Sequence, residues 1–278
     1  MNFSKCARIA GAVAVAAFAA SATGSSAQAG VTLLDTYWGG NNYYNPGNGD
    51  VIGDSNFEIF KATAARVGAG GNTLEISIYT NYAGAPTDGT GRADGTGYGS
   101  LFLTPGKNAW NPTGSAPQYG TDVYTQGEWQ YAAYLPETAG ASGSSGLYSI
   151  PFANAALNGG EVVGSHVGSD FYSHGSPNPG ASASWYFRDG QAVQINPSDA
   201  DLVAGSSWTI TAGKITFDIV DNHLLGNDFA LSWAMTCAND VIQGQIAGVP
   251  ELSTWAMMII GFGLVGLQLK RRNRAVAA

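Results

Sequence analysis

The sequence predicts an all-β protein: an antiparallel β-sandwich, jelly-roll or lectin-like, set between an N-terminal signal peptide and a C-terminal transmembrane helix. Three observations lead there. Several segments alternate apolar and polar residues, the period-2 pattern of strands with one buried face. Gly is abundant at 39 residues and aromatics reach 11%, a composition of turns and strands. No segment before Leu252 carries a long helical period. Short strands joined by Gly-rich turns are the raw material of two-layer β architectures.

The chain opens with Lys5 and Arg8, then the apolar stretch Ile9 to Ala20, then Ala27-Gln28-Ala29. A positive start, a short apolar run and a small-x-small site predict a signal peptide over 1–29, cut to leave Gly30 first. The strand signals follow. In "TLEISIYT", Leu74, Ile76 and Ile78 share one face, opposite Glu75, Ser77 and Tyr79. "GSLFLTP" and "EWQYAAYL" are further strands, and "SWYFRDGQAVQI" reads as a hairpin turning at Asp189-Gly190. In "KITFDIV", Ile215, Phe217 and Ile219 alternate with Lys214, Thr216 and Asp218. In "DFALSWAM", Phe229, Leu231, Trp233 and Met235 oppose Ala230, Ser232 and Ala234. Gly84 to Gly99 and Gly140 to Gly146 read as long polar loops. None of this resembles an extended linker, so 30–248 is taken as one domain. Asp88-Gly89-Thr90-Gly91 recurs as Asp94-Gly95-Thr96-Gly97, but two copies do not make a repeat architecture.

Leu252 to Leu269 is uncharged over 18 residues. At ~1.5 Å per residue it spans roughly 27 Å, close to a hydrocarbon core. Trp255 suits the outer interface, and Lys270, Arg271, Arg272 and Arg274 suit the cytoplasmic side. The segment 249–278 therefore predicts a transmembrane helix over 252–269 and a basic tail. The order of its parts resembles the PEP-CTERM sorting signal: Val249-Pro250-Glu251, then Ser253-Thr254-Trp255-Ala256-Met257-Met258, then Gly-rich apolar residues, then cations. Leu252 stands where the family has a second Pro. The resemblance implies a Gram-negative source and a processing enzyme of the exosortase type. It implies brief anchoring in the inner membrane, a cut near Pro250-Glu251, and delivery to the cell surface or to a matrix of exopolysaccharide. The body is also similar to exported PEP-CTERM proteins of unassigned function, through Tyr37-Trp38-Gly39-Gly40, Gly49-Asp50-Val51-Ile52-Gly53, and the run from Trp233 to Ile242.

From Gly30 to Pro250 the chain carries six Lys and Arg against nineteen Asp and Glu, a net −13. Nucleic-acid phosphates need cations, so this balance argues against such a partner. Cys6 would leave with the signal peptide. Cys237 then stands alone, and a lone thiol cannot staple a domain. A buried structural cysteine is the expected role.

Calcium is the cation the carboxylates would suit. Asp50 and Asp54 flank "GDVIGD", Asp88 and Asp94 share a Gly-rich loop, and Asn239-Asp240 follows a strand. The competing reading is that Asp, Asn and Gly build turns from their own backbone. His166, Asp170 and His174 have a zinc-like spacing on a helix. Their Gly-, Ser- and Pro-rich surroundings make them exposed loop residues instead. Trp38, Trp110 and Trp129, with Tyr43, Tyr44, Tyr119 and Tyr131, would suit stacking on sugar rings; core packing is the alternative use. Catalytic patterns are wanting. Of Glu58, Glu75, Glu128, Glu137, Glu161 and Glu251, none forms the tight acidic cluster of lectin-fold glycosidases. Nucleophile-elbow, zinc-protease and nucleotide-loop motifs do not occur, and no organic cofactor is implied. The sequence thus predicts an exported, non-enzymatic surface or matrix protein. A carbohydrate-binding module is the alternative, and a polysaccharide-degrading enzyme the next.

Overall fold

The structure is a computed structural model that describes residues 30–39, 50–51, 55–84, 96–116, 119–151, 162–164, 190–250 and 261–266. Twelve strands occur among them: β1 Val31–Leu34, β2 Ile59–Val67, β3 Thr73–Thr80, β4 Leu101–Pro105, β5 Tyr131–Ala133, β6 Ser142–Ser149, β7 Val162–Gly164, β8 Ala192–Ile195, β9 Asp201–Thr211, β10 Lys214–Ile219, β11 Phe229–Ala234 and β12 Val241–Ile246. Ten form one sheet in the order β1-β2-β3-β10-β9-β6-β5-β4-β11-β12, and β7 pairs with β8. Every pairing is antiparallel. The sheet curls until its two edge strands, β1 and β12, meet. At that seam Leu33 lies against Gly244, where a Cβ would come within 2.8 Å of the leucine methyl. The protein is all-β, and the nearly closed sheet is barrel- or sandwich-like.

The alternation read in the sequence points the side chains as expected. Leu74, Ile76 and Ile78 of β3 and Ile215, Phe217 and Ile219 of β10 are buried together inside the curl. Strand β10 pairs Phe217 with Ile76 on one side and with Trp208 of β9 on the other. Phe229, Leu231, Trp233 and Met235 line the same interior. Strand β11 is buried on both faces, however. Ala230 packs outward with Phe102, Trp129, Ala132 and Ile195, and Ala234 packs outward with Tyr37, Val193 and Val241. Strand β8 and the loop after β4 lie over this part of the sheet, which is why the small residues of "DFALSWAM" are not at the surface.

One expectation changes. The polar stretch Gly140 to Gly146 is not a loop; most of it is strand β6, bonded to β5 and β9. Its Gly-Ser composition hid it, and the reason is steric. Gly143 pairs with Trp208, and a Cβ there would lie 2.2 Å from the indole ring. The small residues make room for a cross-strand tryptophan. The second arm of the hairpin expected at Asp189-Gly190 is β8, and it pairs with β7; the first arm lies outside the described residues.

Several sequence readings also fall outside them: the signal peptide with Ala27 and Ala29, the residues Asp54, Asp88, Asp94, His166, Asp170 and His174, and the sorting residues Glu251, Ser253, Thr254 and Trp255. Of the segment 252–269, residues 261–266 are described and helical, with Phe262, Leu264 and Val265 exposed. No helix among the described residues is long and apolar enough to cross a membrane.

Candidate functional site

Two polar constellations lie near one another, one at the seam and one on the layered side of the sheet. At the seam, β1 ends at Asp35, a loop brings in Asp50, and β12 is preceded by Asp240. One carboxylate oxygen from each lies within 4.8 Å of the other two. The sequence singled out Asp50 and Asp240, and the fold brings that pair together. It adds Asp35, which sequence reasoning missed; its sole local signal is its place just after "VTLL". Asp240 is fully buried, and its oxygens accept from the Ile59 amide at 2.6 Å and from the Val241 amide at 2.9 Å. That carboxylate thus joins β2 to β12 across the closure. Glu58 stands at the start of β2, and its carboxyl is pushed above the usual range by burial and then by Asp50. The neighbouring Asn239 is buried, and its Oδ1 has no hydrogen-bond partner. Three carboxylates at this spacing repel one another unless protons or a hard cation lie between them.

On the layered side, Asp122 is buried and saturated. One oxygen accepts from the Thr113 amide at 2.6 Å and its hydroxyl at 2.9 Å. The other accepts from the Tyr37 hydroxyl at 2.7 Å. Gln243 of β12 reaches that oxygen at 3.5 Å, and with the same nitrogen donates to Glu128 at 3.1 Å. Glu128 also accepts from the Thr125 amide at 3.1 Å. Its carboxyl is pushed up to about 7, first by desolvation and then, against the lowering effect of the Thr125 amide, by the charge of Asp122. Burial thus favours the protonated form, in which a carboxyl both donates and accepts.

Glu128 faces a surface cavity of about 430 Å³ between the turn after β4 and the segment before β5. A second cavity of about 440 Å³ lies on the other side of that segment, bounded by Trp129, Tyr131 and Pro151. The two share Gly127 and Gln130.

Of the aromatics expected to stack on sugars, Tyr43 and Tyr44 lie outside the described residues. Trp129 is 2% exposed and packs on Phe102 with ring centres 6.4 Å apart. Trp110 is half-buried against Tyr119 and Tyr37, at 5.0 and 6.3 Å. Trp38 is half-buried just after β1. Cys237 is buried within the main core. Glu128 and Tyr131 were legible as members of broad lists, whereas Asp122 and Gln243 carried no local signal, since each acts through residues distant in sequence.

No family model matches this chain, and no curated protein or solved structure matches it.

Proposed function

We propose that the chain is an exported, non-enzymatic protein of the cell surface or extracellular matrix of a Gram-negative bacterium, associated with exopolysaccharide. Residues 252–269 anchor the precursor in the inner membrane, and an exosortase-type enzyme cuts near Pro250-Glu251. The observation that carries this reading is the order of the last thirty or so residues: Val249-Pro250-Glu251, the Ser253-Thr254-Trp255 run, an uncharged stretch, then four cations. The fold suits it. Strand β12 ends at Ile246, and Val249 is buried with its amide bonded to the Asn227 carbonyl at 2.9 Å. All twelve strands lie upstream of Pro250, so a cut there leaves the sheet complete. The acidic body, net −13, suits solubility outside the cell. The finer jelly-roll or lectin-like assignment belongs to the same proposal.

The non-enzymatic part rests on the carboxylates. Polysaccharide hydrolysis uses an acid and a second carboxylate facing one bond. Asp122 is buried with both oxygens engaged, and Glu128 is the one carboxyl among the described residues that line the two cavities. Cell fractionation of the producing strain tests the address. The tail-less chain is expected in the surface or matrix fraction, and a precursor is expected in the inner membrane when processing is blocked. A mature chain in the cytosol overturns it. Incubation with the strain's own polysaccharide is expected to release neither reducing ends nor unsaturated sugars, and release of either overturns the non-enzymatic reading.

A further inference from the structure

The two cavities beside Glu128 are separate from the seam carboxylates and from the sorting tail. They flank the same segment, since Gly127 and Gln130 border both. We infer that the two cavities together bind a neutral polysaccharide strand, with one sugar-sized subsite on each side of the Gly127–Gln130 segment. The inference rests on the exopolysaccharide association proposed above and names where it takes place.

Three features support it. The first is size. Each cavity, at about 430 and 440 Å³, falls within the roughly 300–1,000 Å³ of small-ligand sites, and their placement side by side suits a chain rather than a single compact molecule. The second is lining. The first cavity presents Asn111, Gln126, Gln130 and Glu128, groups that exchange hydrogen bonds with hydroxyls, and Lys107 is the one cation among the described residues that line it. An apolar ligand would leave those groups unpaired, and one lysine is a poor match for phosphate or a polyanion. The whole body is acidic, which repels anionic polysaccharides. The second cavity offers the half-buried ring of Tyr131 and the Pro151 ring, apolar surfaces of the kind that pack on a sugar face.

The third feature is rigidity. Thr104 donates to the Glu128 carbonyl at 2.6 Å and accepts from the Gln130 amide at 3.1 Å, holding one wall on strand β4. Gln245 holds the other. It accepts from the Trp110 amide at 3.2 Å and donates to the Gly106 carbonyl at 3.1 Å. Gln243 fixes the Glu128 carboxyl from beneath. Both walls are therefore set before any ligand arrives, which lowers the ordering cost of binding.

Affinity electrophoresis of the full chain in mild detergent tests the site. The probes are dextran, laminarin and galactomannan, the producing strain's matrix polysaccharide, and alginate as the anionic comparison. Retardation by at least one neutral polymer is expected, with alginate inert. Asn111→Ala/Gln130→Ala, two exposed positions, is expected to weaken binding at least tenfold with an unchanged melting temperature. Ser144→Ala, on exposed β6, is expected to change nothing. No retardation by any neutral probe overturns the inference, as does binding of alginate alone or binding that survives the double substitution. The two proposals fail separately. A surface-located chain that binds no neutral glycan loses the binding site and keeps its address. A cytosolic chain that still binds loses its address and keeps the binding site.

Discussion

Breaking the Arg66–Asp221 pair should unfold this protein more readily than any single surface change. Arg66 lies on β2 and Asp221 just after β10, and both side chains are 0% exposed. The guanidinium meets the carboxylate twice, at 2.5 and 3.1 Å, and donates again to the Gly226 carbonyl. Asp221 also accepts from the Leu225 amide at 3.0 Å. The turn so held includes Asn222 and His223 with φ of 47° and 67°, left-handed conformations that non-glycine residues adopt at a cost. Asp221→Asn leaves a buried cation facing a neutral amide. Removing one partner of such a pair costs roughly 3–5 kcal/mol, because the remaining charge stays desolvated. For a domain of this size, about 2–4 °C of melting temperature is lost per kcal/mol, so the fall should be roughly 6–20 °C. Arg66→Met should cost a similar amount. Arg66→Met/Asp221→Leu should cost less than the sum of Arg66→Met and Asp221→Asn, since no lone charge remains. Urea unfolding of the full chain, followed by tryptophan fluorescence, gives all three values. The single-variant losses should also be unchanged between low and high salt, since a buried pair is little screened. A loss below about 1 kcal/mol for either single variant, the range of exposed ion pairs, would refute the reasoning.

Three further outcomes are expected. Glu128 holds its proton up to about pH 7 when folded and to about 4.5 when unfolded. Its protonated form therefore favours the fold, with the full contribution below pH 4.5 and progressive loss as pH rises to about 7, on the order of 3 kcal/mol in all. Glu128→Gln should flatten that window in a pH series of urea midpoints, and an unaltered decline would count against the burial argument. At Gly99 a Cβ would fall 2.1 Å from the Ala234 carbonyl oxygen and 2.4 Å from that of Val193. Gly99→Ala should thus lose several kcal/mol or fail to fold, while Gly205→Ala on β9, where nothing lies within 4 Å, should be neutral or slightly stabilising; equal melting temperatures would refute the close approach. At the seam, Asp50→Asn removes one of three mutually repelling carboxylates, so without divalent cations its melting temperature should equal or exceed that of the parent chain. Calorimetry with and without calcium checks this, and a lower value in cation-free buffer would show that Asp50 supports the seam in some other way.

Much of the sheet was legible because strand pattern is local. Period 2 in "TLEISIYT" and "KITFDIV" reports which side chains turn inward, and those residues are the interior of the curl. Strands β2 and β6 were illegible for a local reason too. Alanines in "FKATAARV" and the Gly-Ser run of β6 blunt the contrast between faces. Asp50 and Asp240 were legible as loop carboxylates, but their company was not. Asp35 joins them only once β1 and β12 close the sheet.

Alternation along the chain, together with the charged and apolar ends, was enough to establish an all-β body and to suggest its export, since both depend on residues a few positions apart. Which strands neighbour one another was decided in three dimensions. Strand β3 finds β10, β4 finds β11, and β6 finds β9 across long stretches of chain. Those choices come from complementary packing, such as Trp208 over Gly143, and from buried charges such as Arg66 that need one distant partner. The same long-range pairing brings Gln243 of β12 to the Glu128 carboxyl and Gln245 to the Gly106 and Trp110 backbone. Surfaces made by residues more than a hundred positions apart follow from the energy of the whole assembled core, which no local pattern encodes.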